Sequence, residues 1–402
     1  MGLKIKGLKT NELLKRLIVL AVVMLVFRLG NTVPLFGVEL TQSKVSWNAE
    51  NIMTSMLSGT NNQFSWMALG LMPYINASLL VNFVVLSKSQ EKKERITHKQ
   101  IEGYTQLFTL IFALISVGAY TTNITYSFMT FGHGVARHIV MLQLLLGTMI
   151  LYLDVQLNKK HGIGGTTPII FFNISRSIVD MIRKGELDRN VPVIIFCIIL
   201  VILILFFEYY IIKIPLQRVS IHNIHADQNY LAFKLNPIGM LPVMFATALF
   251  IVGKNIIDFL SYTFPNDPYI TRLARNFVMT KKVGAIIFVS IIVILAIGFS
   301  YVILSPTEVS KNLMKSGDSI IGIPSGKPTR RYLRRILFLL SLNSGFVEGT
   351  CVGISLWLVI SNLVPETAAM MPMNLMLVTS FVVSIFQEIK SYRLYDAYSF
   401  FI

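Results

Sequence analysis

The chain has 402 residues, 54% of them hydrophobic and only 14% charged, with a formal net charge of +16; a water-soluble domain carries roughly 25% charged residues. Its apolar residues arrive in blocks of about 16–22, the length a helix needs to cross a hydrocarbon core of roughly 30 Å, which argues against a soluble fold. The Lys and Arg lie in the connectors between blocks, not on one soluble basic face interleaved with aromatics, so they orient a membrane protein and point away from nucleic acid.

In chain order, the first basic residues, Lys4, Lys6, Lys9, Lys15 and Arg16, lead into the apolar block of span 1, at about Leu13–Gly30. The arrangement mimics a signal peptide, but no small-residue cleavage site closes the block and further spans follow, so it reads as a retained span. A polar connector from Asn31 to Ser65 holds a short apolar stretch, Ile52–Leu57, which cannot span. Span 2 is predicted at Trp66–Leu86, span 3 at Gly103–Tyr120, span 4 at Val135–Gln156 and span 5 at Thr167–Ile182. After a charged turn, Arg183–Asn190, come span 6 (Val191–Ile212), the loop 213–236, span 7 (Pro237–Leu260) and span 8 (Val283–Leu304). The basic loop 305–335 leads to span 9 (Ile336–Ser361) and span 10 (Pro372–Phe386).

With the N terminus inside, the N-terminal arm, the loops 88–99, 158–165, 213–236 and 305–335 and the tail hold about 24 Lys and Arg, and the outside connectors about 8. That asymmetry predicts both termini in the cytoplasm. Ten spans divide into five plus five, 1–186 and 187–402, and an odd number per half inserts the halves in opposite directions. Such inverted repeats place the functional path at their interface. A faint echo accompanies the division: span 2 opens with Gly70-Leu71-Met72-Pro73 and span 7 with Gly239-Met240-Leu241-Pro242. A Pro near a helix start is also favourable in its own right.

Coupled transporters need ionisable groups at membrane depth. Asp154, Asp180, Glu208 and Asp258 fall near predicted span ends, where solvation is cheap; Glu348 sits deeper and reads as a hydrogen-bonding partner of a neighbouring span. His222 and His225 form an H-x-x-H without the Glu or helix a zinc site requires, and the loop Gly162–Gly165 lacks the Lys-Ser/Thr of a phosphate loop. Cys197 and Cys351 lie inside apolar blocks as packing thiols. No enzyme, metal or cofactor is predicted. What remains is mildly polar lining: Asn76, Ser78 and Asn82 on span 2, Thr105 and Gln106 on span 3, Thr247 and Asn255 on span 7. Such residues either bond a neighbouring helix or mark a seam that must open.

The segment Ala68-Leu69-Gly70-Leu71-Met72-Pro73-Tyr74-Ile75-Asn76-Ala77-Ser78 resembles A-L-G-I-M-P-Y-I-x-A-S of the SecY/Sec61-alpha family. Lys234 through Ala246 is similar to that family's L-K-V-N-x-x-G-V-I-P-x-I-F-A, and Asn312–Gly317 with Gly322–Gly326 to N-L-K-K-S-G…G-I-R-P-G. The three matches stand in family order and the span count agrees. The resemblance implies an all-α polytopic fold, ten transmembrane helices in two inverted five-helix halves. Between the halves it implies an hourglass pore that opens sideways between spans 2–3 and 7–8. It further implies a plug near 50–62 that includes Ile52, Met53, Met56 and Leu57, and an apolar ring that includes Ile75, Leu79, Ile170 or Phe171, and Met244. Ile75 and Leu79 are four apart and share a helix face, and such a constriction resists ions by dewetting. Gate candidates are Asn82, Thr105, Gln106 and Thr247.

The cytoplasmic loops would dock a SecA-type motor through Arg218, Lys327, Arg330, Arg331, Arg334 and Arg335, a cluster that also fits a positive-inside anchor. The implied surroundings are a plasma membrane, small SecE/SecG-like or accessory subunits, lipids and a preprotein substrate. Three departures from the family pattern stand out: Pro324 replaces the Arg of G-I-R-P-G, the loop 213–236 is short and poor in Arg, and the chain ends soon after span 10. Together they resemble the accessory SecY paralogue of Gram-positive bacteria, which works with an accessory SecA and exports large serine-rich glycosylated adhesins. A housekeeping SecY is the alternative within the family, and a secondary transporter the alternative outside it.

Overall fold

A computed structural model describes residues 12–38, 64–87, 96–121, 133–183, 191–218, 229–264 and 267–398. Among them, the apolar blocks become ten helices of 16 to 35 residues where the ten spans are predicted. These are α1 (Glu12–Thr32), α2 (Met72–Ser87), α3 (His98–Thr121), α4 (His133–His161), α5 (Thr167–Arg183), α6 (Val191–Tyr209), α7 (Leu241–Thr263), α9 (Lys282–Ile303), α11 (Lys327–Ser361) and α13 (Met371–Tyr398). Shorter helices are α8 (Pro268–Asn276), α10 (Pro306–Ser316) and α12 (Glu366–Ala369). By length and composition, six stretches of the described residues can cross a membrane: 98–118, 135–161, 191–209, 282–316, 327–361 and 371–393. α2 and α5 are shorter, at 16 and 17 residues, and α1 carries Glu12, Lys15, Arg16 and Arg28. α6 exposes Ile195, Ile198, Ile199 and Ile202, an apolar face suited to lipid tails.

The chain divides into two compact units, residues 1–47, 51–180 and 381–402 in one and 48–50 and 181–380 in the other. The expected boundary at 186/187 lies outside the described residues. In the first unit α1 packs on α4, α2 on α3, and α3 on α4. Gly147 lets α4 approach the chain before α2 so closely that an added Cβ would sit 1.9 Å from the Trp66 carbonyl oxygen. Leu35, Val38, Leu69, Val117, Val140 and Leu144 form a core there.

In the second unit the most extensive helix pair is α9 on α11. Gly345, Gly349 and Gly353 recur every four residues along α11 and face Ala296, Val293 and Val289 of α9. This small-residue stripe lets two apolar helices touch along their backbones.

The described residues of 213–236, with 305–335, expected as loops, instead fold together. β1 (Ile211–Arg218) pairs antiparallel with β2 (Tyr230–Lys234), Ile211 opposite Lys234 and Pro215 opposite Tyr230. On its other edge β1 pairs antiparallel with β3 (Asp318–Ile320), Leu216 opposite Ile320 and Arg218 opposite Asp318. Alternation along β1 sends Ile212, Ile214 and Leu216 to one face, where they meet Phe233, Leu313, Ile320, Leu333, Leu337 and Leu340. Leu333 and Leu337 belong to α11, which begins at Lys327, nine residues ahead of the predicted span 9, because its basic first turns have an apolar side to bury against this sheet.

Candidate functional site

The two G-x-x-P segments build the same local device. Gly70 and Gly239 both adopt positive φ, +56° and +65°, a region open to Gly without strain. Pro73 and Pro242 then stand second in α2 and α7, where a missing N–H costs nothing. Five residues beyond each Gly come Ile75 and Met244, which donate their backbone N–H to Leu71 O (2.9 Å) and Met240 O (3.2 Å). Eight residues beyond come Ser78 and Thr247. Two ring candidates and one gate candidate therefore hold matched positions in two separate units.

Ile75, Leu79, Ile170 and Met244 are all buried, and Phe171 is partly so. Ile170 and Phe171 lie in the first turns of α5, directly after the turn 162–166. That turn is organised by Asn158. Its Nδ2 donates to Ile163 O at 2.9 Å and Gly165 O at 2.6 Å, while its Oδ1 accepts from Ile163 N–H at 3.3 Å. The neighbouring Lys159 donates to the Tyr74 hydroxyl, one residue before Ile75.

Three of the polar gate candidates, Thr105, Thr247 and Asn82, hydrogen-bond within their own helices. Thr105 Oγ1 donates to Ile101 O and Thr247 Oγ1 to Val243 O, both at 2.8 Å, and both residues are buried. Asn82 is exposed and reaches Ser78 Oγ at 3.5 Å, and Gln106 is exposed. Asn76 Oδ1 is buried without a hydrogen-bond partner among the described residues. The bonds of Thr105, Thr247 and Asn82 stay within one helix, and a Thr hydroxyl is satisfied by the carbonyl four residues back.

The plug candidates Ile52, Met53, Met56 and Leu57 lie outside the described residues, as do His222 and His225. The flanks of the plug segment are paired with each other: Leu35 N–H donates to Phe64 O (2.9 Å) and Trp66 N–H to Val33 O (3.1 Å). A further tie runs from Phe36 N–H to Gln143 Oε1 at 3.1 Å.

Lys327, Arg330, Arg331, Arg334 and Arg335 are exposed on the first turns of α11, whose opposite side carries the buried Thr329, Leu333 and Leu337. Arg218 ends β1 opposite Asp318. Thr329 Oγ1 donates to the backbone carbonyl of Pro324 at 2.8 Å, a contact that any residue at 324 would supply.

Among the carboxylates, Glu208 and Asp154 correct the sequence reading. Both fall near predicted span ends, yet they are 6% and 8% exposed: α4 runs on to His161, seven residues past Asp154, and Glu208 meets Asn236 of the link before α7. Glu348 also finds a different partner from the neighbouring span expected of it. Glu208 Oε1 and Glu348 Oε1 both accept from Nδ2 of Asn236, at 3.2 and 3.0 Å, in the link between β2 and α7. Sequence reasoning met Asn236 only as part of the family-like segment and Asn158 only as the start of a loop, and gave neither a role; the Pro after Asn236 was the available signal. Cys197 and Cys351 are buried. The backbones of Asp180 and Asp258 lie in α5 and α7.

Comparison with known proteins places this architecture. The SecY family model matches residues 65–386. An accessory Sec system protein translocase subunit SecY2 from Streptococcus agalactiae is 26% identical over 97% of this chain and 96% of its own length. A protein translocase subunit SecY from Streptococcus gordonii is 27% identical over 85% of each chain. A solved protein-conducting channel shares the fold with a TM-score of 0.68 at 17% identity, covering 98% of this chain and 95% of that one. With the family match spanning most of its length, this polytopic chain belongs to the SecY family.

Proposed function

We propose that this chain is the pore subunit of an accessory protein-conducting channel that passes preproteins across the bacterial plasma membrane with both of its termini in the cytoplasm. The observation that carries the reading is the near end-to-end match to an accessory SecY2, against 85% coverage for a housekeeping SecY of similar identity. In this reading the halves 1–186 and 187–402 flank the pore. Ile75, Leu79, Ile170 or Phe171 and Met244 form its apolar constriction, which excludes hydrated ions and deforms around a passing chain. Residues near 50–62 plug it. Asn82, Thr105, Gln106 and Thr247 line the seam that opens toward lipid, and contacts confined to single helices leave such a seam free to part.

Transport is passive at the pore itself. A SecA-type ATPase supplies the energy and docks on the exposed cations of α11 together with Arg218, and small membrane subunits of the SecE/SecG kind or accessory counterparts complete the complex. The cargo is a large serine-rich glycosylated adhesin. Deleting the gene tests this: the reading expects a viable cell that lacks one or a few large surface glycoproteins. Lethality or broad secretion collapse would reassign the chain to general secretion, and unaltered secretion would refute a channel role.

A further inference from the structure

The link between β2 and α7 is short and fully engaged. Leu235 N–H donates to Tyr210 O at 3.1 Å and Asn236 N–H to Phe207 O at 3.2 Å, stitching the link to the end of α6. The Asn236 side chain then faces three ways: Oδ1 accepts from Gly239 N–H at 3.0 Å, and Nδ2 donates to both Glu208 of α6 and Glu348 of α11. Asn236, Glu208 and Glu348 are only 5%, 6% and 4% exposed. Burying two acidic side chains around one amide is costly, and polar groups so placed select one arrangement over others. A connector that only had to join a strand to a helix would need none of this.

The frame that holds Asn236 also carries the sheet. α11 is one continuous helix from Lys327 to Ser361, with Leu333 and Leu337 in the sheet core and Glu348 further along the same rod. Beyond Gly239, α7 begins at Leu241 and brings Met244 and Thr247 within its first two turns. We propose that Asn236 is a positioning residue that clamps the start of α7 to the α6–α11 frame, so that a displacement of the β-sheet platform is delivered to Met244 and Thr247 instead of being absorbed by the link. The geometry of the clamp stands on its own; its consequence for transport rests on the channel reading above.

The test uses the full chain in lipid nanodiscs, with Cys197→Ala and Cys351→Ala as background and spin labels at Ala232→Cys on β2 and Ile256→Cys on α7, both exposed positions. Pulsed electron paramagnetic resonance should give one narrow distance distribution. Asn236→Leu should at least double its width and, in cells, lower export of a surface protein that depends on this gene about tenfold at unchanged channel level. Glu348→Gln keeps an acceptor for Nδ2 and should retain both the narrow distribution and export. Asn236→Ala takes the place of the leucine variant should the latter fail to accumulate. An unbroadened distribution, or a broadened one with normal export, would overturn the proposal. If deletion of the gene leaves secretion intact, the channel reading falls, while the distance measurement still decides the clamp.

Discussion

Asn158 holds the turn before α5 with three hydrogen bonds to backbone, and its side chain is almost completely buried. Replacing it with Ala strands those groups, each at a cost of about 1–3 kcal/mol where water cannot reach. Asn158→Ala is therefore expected to lose about 3 kcal/mol, read as a lowered thermal midpoint in detergent, with export reduced because Ile170 and Phe171 follow within two turns. An unchanged midpoint would mean the turn holds itself. Gly147 makes the complementary case. A methyl there meets the Trp66 carbonyl at 1.9 Å, backbone that cannot swing aside, so Gly147→Ala should destabilise by about 1–3 kcal/mol. At this scale the sequence was informative where a motif carried backbone geometry: Gly70 and Gly239 stood out as an echo, and their shared positive φ accounts for it. It did not join Asn236 to Glu208 and Glu348, because their partnership spans up to 112 positions in sequence.

Among the elements, the helices were legible because twenty-odd apolar residues in a row admit few alternatives in lipid. The sheet was not. Ile212, Ile214 and Leu216 do alternate, but Ile212 was absorbed into the end of span 6, Pro215 interrupts the pattern, and β3 has three residues. α11 was cut short for a related reason: Lys327–Arg335 looks like a solvated loop until Leu333 and Leu337 are seen against the sheet. Leu337 has no exposed surface, so Leu337→Ala is expected to cost about 2–5 kcal/mol. The loss should appear as faster hydrogen exchange in β1 and β2, with the α9–α11 pair beyond Gly345 still protected; equal exchange in both regions would contradict a separate platform core. On the outer side, the proposed docking role predicts that changing Arg330, Arg331, Arg334 and Arg335 to Glu weakens binding of a SecA-type ATPase at least about tenfold, and that the wild-type affinity falls with added salt. Binding indifferent to both would move the docking surface elsewhere.

For the whole molecule, composition and span count point to a polytopic membrane protein, the family match places it among SecY proteins, and the fold agrees with a solved protein-conducting channel. Ile75 and Met244 hold matched positions, five residues past Gly70 and Gly239, each within its own unit. The proposed plug near 50–62 lies outside the described residues, and no periodicity in a sequence encodes a sideways opening. The decisive measurement is cross-linking in living cells between a stalled preprotein bearing one Cys and the channel carrying Ile75→Cys or Met244→Cys, with Ile198→Cys on the exposed face of α6 as control. A pore subunit gives disulfide adducts from both ring positions and none from the control; adducts from neither ring position, with the stalled chain present and oxidation verified, would contradict passage through this chain.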